Sequence, residues 1–190
     1  MTGDGKTIKI LFLGDLVGRP GRFVVRDFLK KQRENYDFII ANVENASHGF
    51  GLTEKNYNEI SEYGIDCMTS GNHIWDKREI LNYIDKADKL VRPFNYPNGT
   101  PGRGSRVFEL DNGVKVAVIN ALGRVFMAPV DSQWETVADE IKRLKEITPI
   151  IIVDFHAEAT AEKICFGRFC ADLGASAFFG THTHVQTEDE

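Results

Sequence analysis

Cysteine is scarce: the chain has three, Cys67, Cys165 and Cys170, and no Cys-x-x-Cys spacing. The odd count and the spacing argue against a disulfide framework and against a thiolate zinc site. All three lie beside apolar residues and read as small core residues. Long apolar runs are missing as well. None approaches the roughly 18–20 residues of a membrane span, and residues 1–6 carry no apolar signal-peptide core, so the cytoplasm is expected. Positive charge is in deficit, with 23 Lys and Arg against 28 Asp and Glu and a net charge of −5. That balance argues against a broad nucleic-acid or membrane surface. A small phosphate substrate held by a local cation stays compatible with it.

What is present is an ordinary globular composition, 42% hydrophobic and 27% charged over 190 residues. That length suits one domain, 1–190, able to bury a substantial core. Apolar runs at 8–13, 38–41, 65–69, 150–153 and 177–179 read as strands. Helical patterns fall between them, at 22–34, 53–63, 76–84, after the Ser132–Glu135 stretch and at about 160–173. The predicted core faces are Val24, Val25, Phe28 and Leu29 in the first helix. In the fourth they are Trp134, Val137, Ala138, Ile141 and Leu144, and in the last Cys165, Phe169 and Leu173. Thr53 is placed to cap the second helix and Gly64 to end it. Ser132-Gln133-Trp134-Glu135 has capping-box spacing. Residues 92–104 are too rich in Pro and Gly for regular structure. Asp111-Asn112-Gly113 between two alternating runs predicts an antiparallel hairpin near 105–120. Strands alternating with helices predict an α/β fold whose sheet is mostly parallel, with helices on both faces.

In such a sheet, ligands bind beyond the carboxyl ends of the strands. The residues that follow the apolar runs are Asp15, Glu44, Asn45, Asn72, His73, His156, His182 and His184. Five strand ends thus deliver carboxylate, amide and imidazole groups, which parallel strands would bring out on one edge. Without sulfur, this donor set suits Mn, Fe or Zn. Seven or so ligands exceed the need of one ion. A pair of ions about 3.5–4 Å apart would use them all, clamp a phosphate and generate a nucleophilic water.

The order and wording of these motifs resemble the calcineurin-like metallophosphoesterases. The resemblance rests on Gly14-Asp15, Gly71-Asn72-His73, His156 and Gly180-Thr181-His182-Thr183-His184. Phe12 to Gly21, Glu44-Asn45-Ala46, Gly71 to Lys77, Arg92 to Pro97, Leu122 to Met127, Val153 to Thr160 and Gly180 to Thr187 are similar to the YmdB-like branch of that superfamily. The broader superfamily has Asp-x-His after its first strand. Here the third position is Val17, and Asn45 is the candidate replacement, while Glu44 stands in for a second-strand Asp. The resemblance implies a metallophosphoesterase-type sandwich. It implies one ion held by Asp15, Glu44, Asn45 and His184, a second held by Glu44, Asn72, His156 and His182, and Glu44 bridging them. The implied metals are Fe or Mn, with Zn as the alternative. His73 would bind no metal and would sit near the phosphate, to protonate the leaving oxygen or to steady the charge there. The implied substrate is a small phosphodiester, a 2′,3′-cyclic or 3′,5′-cyclic nucleotide, and homo-oligomers are implied as well. Members of the branch run longer, so the chain reads as lacking its last segment. A contrasting reading is a metal- and nucleotide-binding or partner-binding protein without turnover.

Other residues carry weaker signals. Gly18-Arg19-Pro20-Gly21 fits either a phosphate cradle or a tight turn. His48 reads as an exposed loop residue. Arg92, Arg103 and Arg106 are candidate phosphate neighbours, set against ordinary solvated arginines. Trp75 and Trp134 read as packing residues. Glu158, two residues beyond His156, is a candidate to orient it.

Overall fold

The structure is a computed structural model that describes residues 7–187. The signal-peptide expectation for residues 1–6, and the chain's last residues, 188–190, lie outside that range. In chain order the main elements are β1 (Ile10–Leu13), α1 (Gly18–Gln32), β2 (Phe38–Asn42), α2 (Glu54–Ser61) and β3 (Cys67–Thr69). After a stretch of 3-10 turns come β4 (Ser105–Glu109), β5 (Lys115–Leu122), α3 (Gln133–Lys145), β6 (Ile151–His156), α4 (Thr160–Asp172) and β7 (Ala177–Thr181).

The fold is α/β and mostly parallel, as the alternation predicts, but its strands divide into two sheets. One runs β1-β2-β3, all parallel; the other runs β4-β5-β6-β7, in which β4 alone is antiparallel to its neighbour. Helices therefore cover one face of each sheet rather than both faces of one. Val25 and Leu29 of α1 and Ile60 of α2 pack with Ile39, Ala41 and Met68 on the outer side of the first sheet. Val137, Ile141 and Leu144 of α3 and Phe166 and Cys170 of α4 pack with Ile119, Val153 and Phe155 on the second. Between the sheets lie Phe38, Ile40, Cys67, Val116, Val118 and Ile152. A strand buried on both faces is apolar at every position, whether a helix or a second sheet covers the far side. The sequence pattern cannot tell these two arrangements apart.

Several local expectations hold. Thr53 caps α2 by accepting from the Asn56 amide at 3.2 Å, and Gly64 takes φ +89 just beyond the helix. The hairpin pairs Ser105 with Ile119 through Glu109 with Lys115. Trp134 lies edge-on to Phe166 and Phe169, and Trp75 to Tyr96, so both tryptophans pack.

Others are corrected. Helix α1 starts at Gly18, so Gly18 to Gly21 form its first turn. Pro20 fits there because first-turn amides need no intrahelical partner. The Gly18 amide is also taken, donating to the Asn45 carbonyl at 2.9 Å, which leaves it no phosphate to bind. Val24 is exposed and lines a cleft between α1 and the end of β7, and Phe28 of α1 and Trp134 of α3, also predicted as core residues, are exposed too. Residues 72–86 form three 3-10 segments, not a helix at 76–84. The wide spacing of the buried Ile74, Ile80 and Ile84 is met by short turns hugging the core rather than by one straight stripe. Ser132 offers no side-chain cap to α3; its carbonyl accepts from the Thr136 amide and hydroxyl instead. Helix α4 buries Phe166 and Cys170 and leaves Cys165 exposed. Its apolar residues run almost all the way round, so periodicity could not fix its inner face. No helix among the described residues is long and apolar enough to cross a membrane.

Candidate metal centre

Parallel pairing brings the ends of β1, β2 and β3 to one edge, and those of β6 and β7 to one edge of the second sheet. The loops that follow are tied to each other by backbone bonds. The Leu16 amide donates to the Asn42 carbonyl, and the Val43 amide to the Thr69 carbonyl, each at 2.9 Å. Asn42, the last residue of β2, directs the chain beyond it. Its Oδ1 accepts from the Glu44 amide at 3.1 Å, while its Nδ2 donates to the Ser70 carbonyl at 3.0 Å.

Glu44 sits at the meeting point of the two sheets and is fully buried. Its Oε1 is 2.9 Å from His156 Nε2 and accepts from Asn45 Nδ2 at 3.2 Å. Its Oε2 accepts from the His73 amide at 2.9 Å. His156 Nε2 is also 3.0 Å from His182 Nδ1. The ligand atoms of Glu44, His156 and His182 all lie within 4.8 Å of one another. Asp15 completes the group from the far side: its Oδ2 accepts from the His182 amide at 3.1 Å, and its Oδ1 lies 3.6 Å from His184 Nε2. Asn45 Nδ2 is 3.3 Å from that same nitrogen. Asn72 stands between Gly71 and His73, both of which touch Glu44. All eight residues singled out in the sequence are therefore in one place.

The donor chemistry fits cations. Asp15 Oδ1, Asn45 Oδ1 and Asn72 Oδ1 are buried and have no hydrogen-bond donor among the described residues. An unpartnered buried oxygen ordinarily costs about 1–3 kcal/mol, and two of the three belong to Asp15 and Asn45, which both lie against His184. The backbone is strained at the same point. His182 and His184 adopt φ 94 and φ 53, a region that costs a non-glycine residue about 1–3 kcal/mol. Gly71 is a steric necessity: a Cβ there would lie 2.3 Å from Glu44 Oε2 and 2.4 Å from the His156 ring.

The titratable groups are strongly perturbed. Burial works to raise the Glu44 carboxyl, but the His156 contact and the His73 amide outweigh it and hold it below its ordinary value. Burial likewise works to lower His156, and the carboxylates of Glu44, Asp15 and Asp154 outweigh it, so the imidazole is held above its ordinary value. His182 moves down, chiefly through burial and then through repulsion by His156; this favours the neutral ring that a ligand nitrogen requires. Asp154, fully buried, is pushed up to about 6 by desolvation.

His73 stands at the rim. Its Nδ1 is 2.8 Å from Asp76 Oδ2, and the Phe50 ring meets it edge-on at 5.0 Å. The Asp76 contact engages Nδ1 and leaves Nε2 as the ring's second nitrogen.

Some expectations change here. Glu158 pairs with His182 Nε2 at 3.0 Å, not with His156; the alternation of strand residues said nothing about the loop beyond β6. Arg92 is buried and turned inward, with its guanidinium on the carbonyls of Pro93, Thr100 and Pro101. It pins the Pro/Gly-rich segment and is not a phosphate neighbour. Arg106 pairs with Asp88. His48 is exposed on its loop, as expected. Sequence reasoning passed over Asn42, Asp154 and Thr181, which hydrogen-bond to one another behind the site. A carboxylate set directly between the apolar run 150–153 and Phe155 was the available signal, because a buried acid needs partners. Lys163 was missed too. It donates to Thr183 Oγ1 at 3.0 Å, and nothing in the pattern of its helix marks it.

Comparison with known proteins adds a family and three relatives. A family model described as YmdB-like protein matches residues 11–190. A Bacillus subtilis (strain 168) protein named 2′,3′-cyclic-nucleotide 2′-phosphodiesterase is 48% identical over 184 residues, covering 96% of this chain and 69% of its own length. Among solved structures, a hypothetical protein from Thermus thermophilus superposes with a TM-score of 0.89 at 38% identity, over 96% of this chain and 70% of that one. A structure described as a novel phosphatase from Mycoplasma pneumoniae superposes with a TM-score of 0.87 at 36% identity, over 97% and 67% respectively. The chain thus spans about two thirds of the length of the proteins it matches.

Proposed function

The chain belongs to the YmdB-like protein family and is an enzyme of the phosphodiesterase class, and on that premise we propose that it hydrolyses 2′,3′-cyclic nucleotides at a two-metal site. 3′,5′-Cyclic nucleotides are the second substrate class of this reading. The observation that carries it is the convergence of Glu44, His156 and His182, whose ligand atoms lie within 4.8 Å of one another, with the buried, donor-less oxygens of Asp15 and Asn45 beside them. Asp15, Glu44, Asn45 and His184 would hold one ion. Glu44, Asn72, His156 and His182 would hold the other, with Glu44 shared. Fe or Mn suits the donor set, and Zn is the alternative. When bound, such a pair supplies Lewis-acid charge on the phosphoryl oxygens and a nucleophilic water near neutral pH.

The chain's own groups do the rest. The carboxamides of Asn45 and Asn72 supply oxygen without adding negative charge, so an anionic phosphodiester is less repelled. His73, oriented by Asp76 through Nδ1, presents its other nitrogen to protonate the leaving oxygen. Phe50 limits the ring's rotation. Residues 1–190 act as one catalytic domain in this proposal. Three free thiols suit a reducing compartment and so a cytoplasmic location. Homo-oligomers follow from the family resemblance, and light scattering on the purified protein tests for them.

Metal content measured alongside hydrolysis of 2′,3′-cyclic AMP tests the proposal. Protein reconstituted with Mn or Fe should carry about two ions per chain and turn the substrate over. His73→Ala should keep the metals and lose turnover. Failure to bind metal overturns the site. Stoichiometric metal without hydrolysis of any cyclic nucleotide overturns the enzyme reading for this chain and leaves a metal- and nucleotide-binding protein.

A further inference from the structure

Behind the centre lies a buried polar chain that meets the proposed ligand set at the His156 ring and at the Glu44 backbone amide. Asp154 lies within β6 and accepts two hydrogen bonds. Thr181 Oγ1 donates to its Oδ1 at 2.7 Å, and Asn42 Nδ2 donates to its Oδ2 at 3.0 Å. Thr181 Oγ1 in turn lies 3.0 Å from His156 Nδ1. Every member of this chain is buried, so water does not compete for these bonds.

The direction of each bond follows from the one before it. The orientation of the Asn42 amide is fixed at its outer end. Its Oδ1 takes the Glu44 amide proton and its Nδ2 gives a proton to the Ser70 carbonyl. It can therefore only donate to Asp154. Both Asp154 oxygens accept, so the single Thr181 hydroxyl proton is spent on Asp154. What Thr181 then offers His156 is a lone pair. The ring nitrogen facing it must bring the proton.

We propose that Asp154, acting through Thr181, fixes a proton on His156 Nδ1 and so keeps Nε2 as the face of the ring that meets Glu44 and His182. Asp154 and Thr181 are positioning residues. The inference rests on the reading of His156 as a ligand only for its consequence; the proton placement itself stands on the hydrogen-bond chain. The two tautomers of a neutral imidazole are not equivalent as ligands, since the nitrogen that keeps a proton cannot bind a metal.

The Asp154→Asn variant tests the direction of the relay without changing its size. The Asn42 amide still demands an acceptor, so the new carboxamide must turn its oxygen to Asn42 and its NH2 to Thr181. Thr181 then accepts from residue 154 and passes its own proton to His156. The ring must answer with a bare Nδ1 and carry its proton on Nε2, facing Glu44. The relay is reversed by one substitution.

The readout is the 15N shift of His156 Nδ1 in metal-free protein labelled at histidine, recorded for all variants at one pH high enough for the ring to be neutral. Wild type should show a protonated-type Nδ1 and Asp154→Asn a bare, pyridine-type Nδ1. Thr181→Val removes the acceptor and should abolish the protected Nδ1 proton, and Thr181→Ser should restore it. Zn2+ affinity, measured by chelator competition, should fall about 10–100-fold in Asp154→Asn and Thr181→Val and recover in Thr181→Ser. A bare Nδ1 in wild type, or an unchanged Nδ1 in Asp154→Asn, overturns the proposal. If Asp154→Asn does not fold, the Thr181 pair decides, because a purely structural threonine would alter melting temperature without moving the Nδ1 signal. If the Nδ1 pattern is as expected but wild type binds no Zn2+, the relay stands and the ligand reading of His156 falls.

Discussion

Phe12 of β1 and Phe179 of β7 stack face to face, with ring centroids 4.1 Å apart and planes within 5°. Each belongs to a different sheet, and each precedes a site residue by three positions, Asp15 and His182. The stack holds the two strand ends level, so that Asp15 Oδ2 reaches the His182 amide.

Phe179→Ala should therefore loosen the centre from a distance. A fully buried Phe→Ala change costs about 3–5 kcal/mol. Both rings here are only partly buried, so a loss of roughly 2 kcal/mol in urea unfolding is expected. Metal affinity should fall with it, while Phe179→Leu keeps most of the stability. Unchanged metal affinity in a destabilised Phe179→Ala would show that the stack does not align the site.

Gly71→Ala should remove metal binding outright. The added methyl would meet Glu44 Oε2 and the His156 ring at less than any tolerated contact distance, and both groups are proposed ligands held by buried surroundings. The backbone at Gly71 has φ −162, so no conformational objection to alanine exists and the effect is steric alone. Native circular dichroism with metal content near zero is the expected result. Full metal content would mean the loop can retreat from Glu44.

Metal loading should raise thermal stability, because the orphaned oxygens of Asp15, Asn45 and Asn72 gain a partner only in the folded state. At a free ion concentration of about 100 Kd the linkage is worth about 2.7 kcal/mol. Chelator treatment should reverse it. In the Glu44→Gln variant the melting temperature should no longer respond to Mn2+ at the same concentration.

Thiol reactivity should divide the three cysteines. Cys165 is exposed on α4, whereas Cys67 and Cys170 are buried. Burial pushes the Cys170 thiol up to about 12 and Cys67 well above its ordinary value, which suppresses the reactive thiolate. Native protein at pH 8 should consume about one equivalent of a thiol reagent, rising to three on denaturation. Mass mapping should place the native label on Cys165.

Much of the local structure was readable because it is written locally. Thr53 before α2, Gly64 after it, and Asp111-Asn112-Gly113 in the hairpin each act on bonds a few residues away. The apolar runs marked the strands for the same reason. Where apolar residues surround a helix, as in α4, or where turns are short, as across 72–86, periodicity carried no direction, and the inner face of α4 lies one position from where the pattern puts it.

The sequence by itself determined which donors exist and that each follows a strand, because a chain leaving a parallel sheet must expose what comes next. Only the tertiary structure decided that the strands form two sheets, and that Asn42 and Asp154 bond across them. It alone decided that Glu158 turns to His182 while Thr181 turns to His156. Those outcomes depend on which buried polar group finds which partner, and partners far apart in the chain are selected by packing, not by spacing.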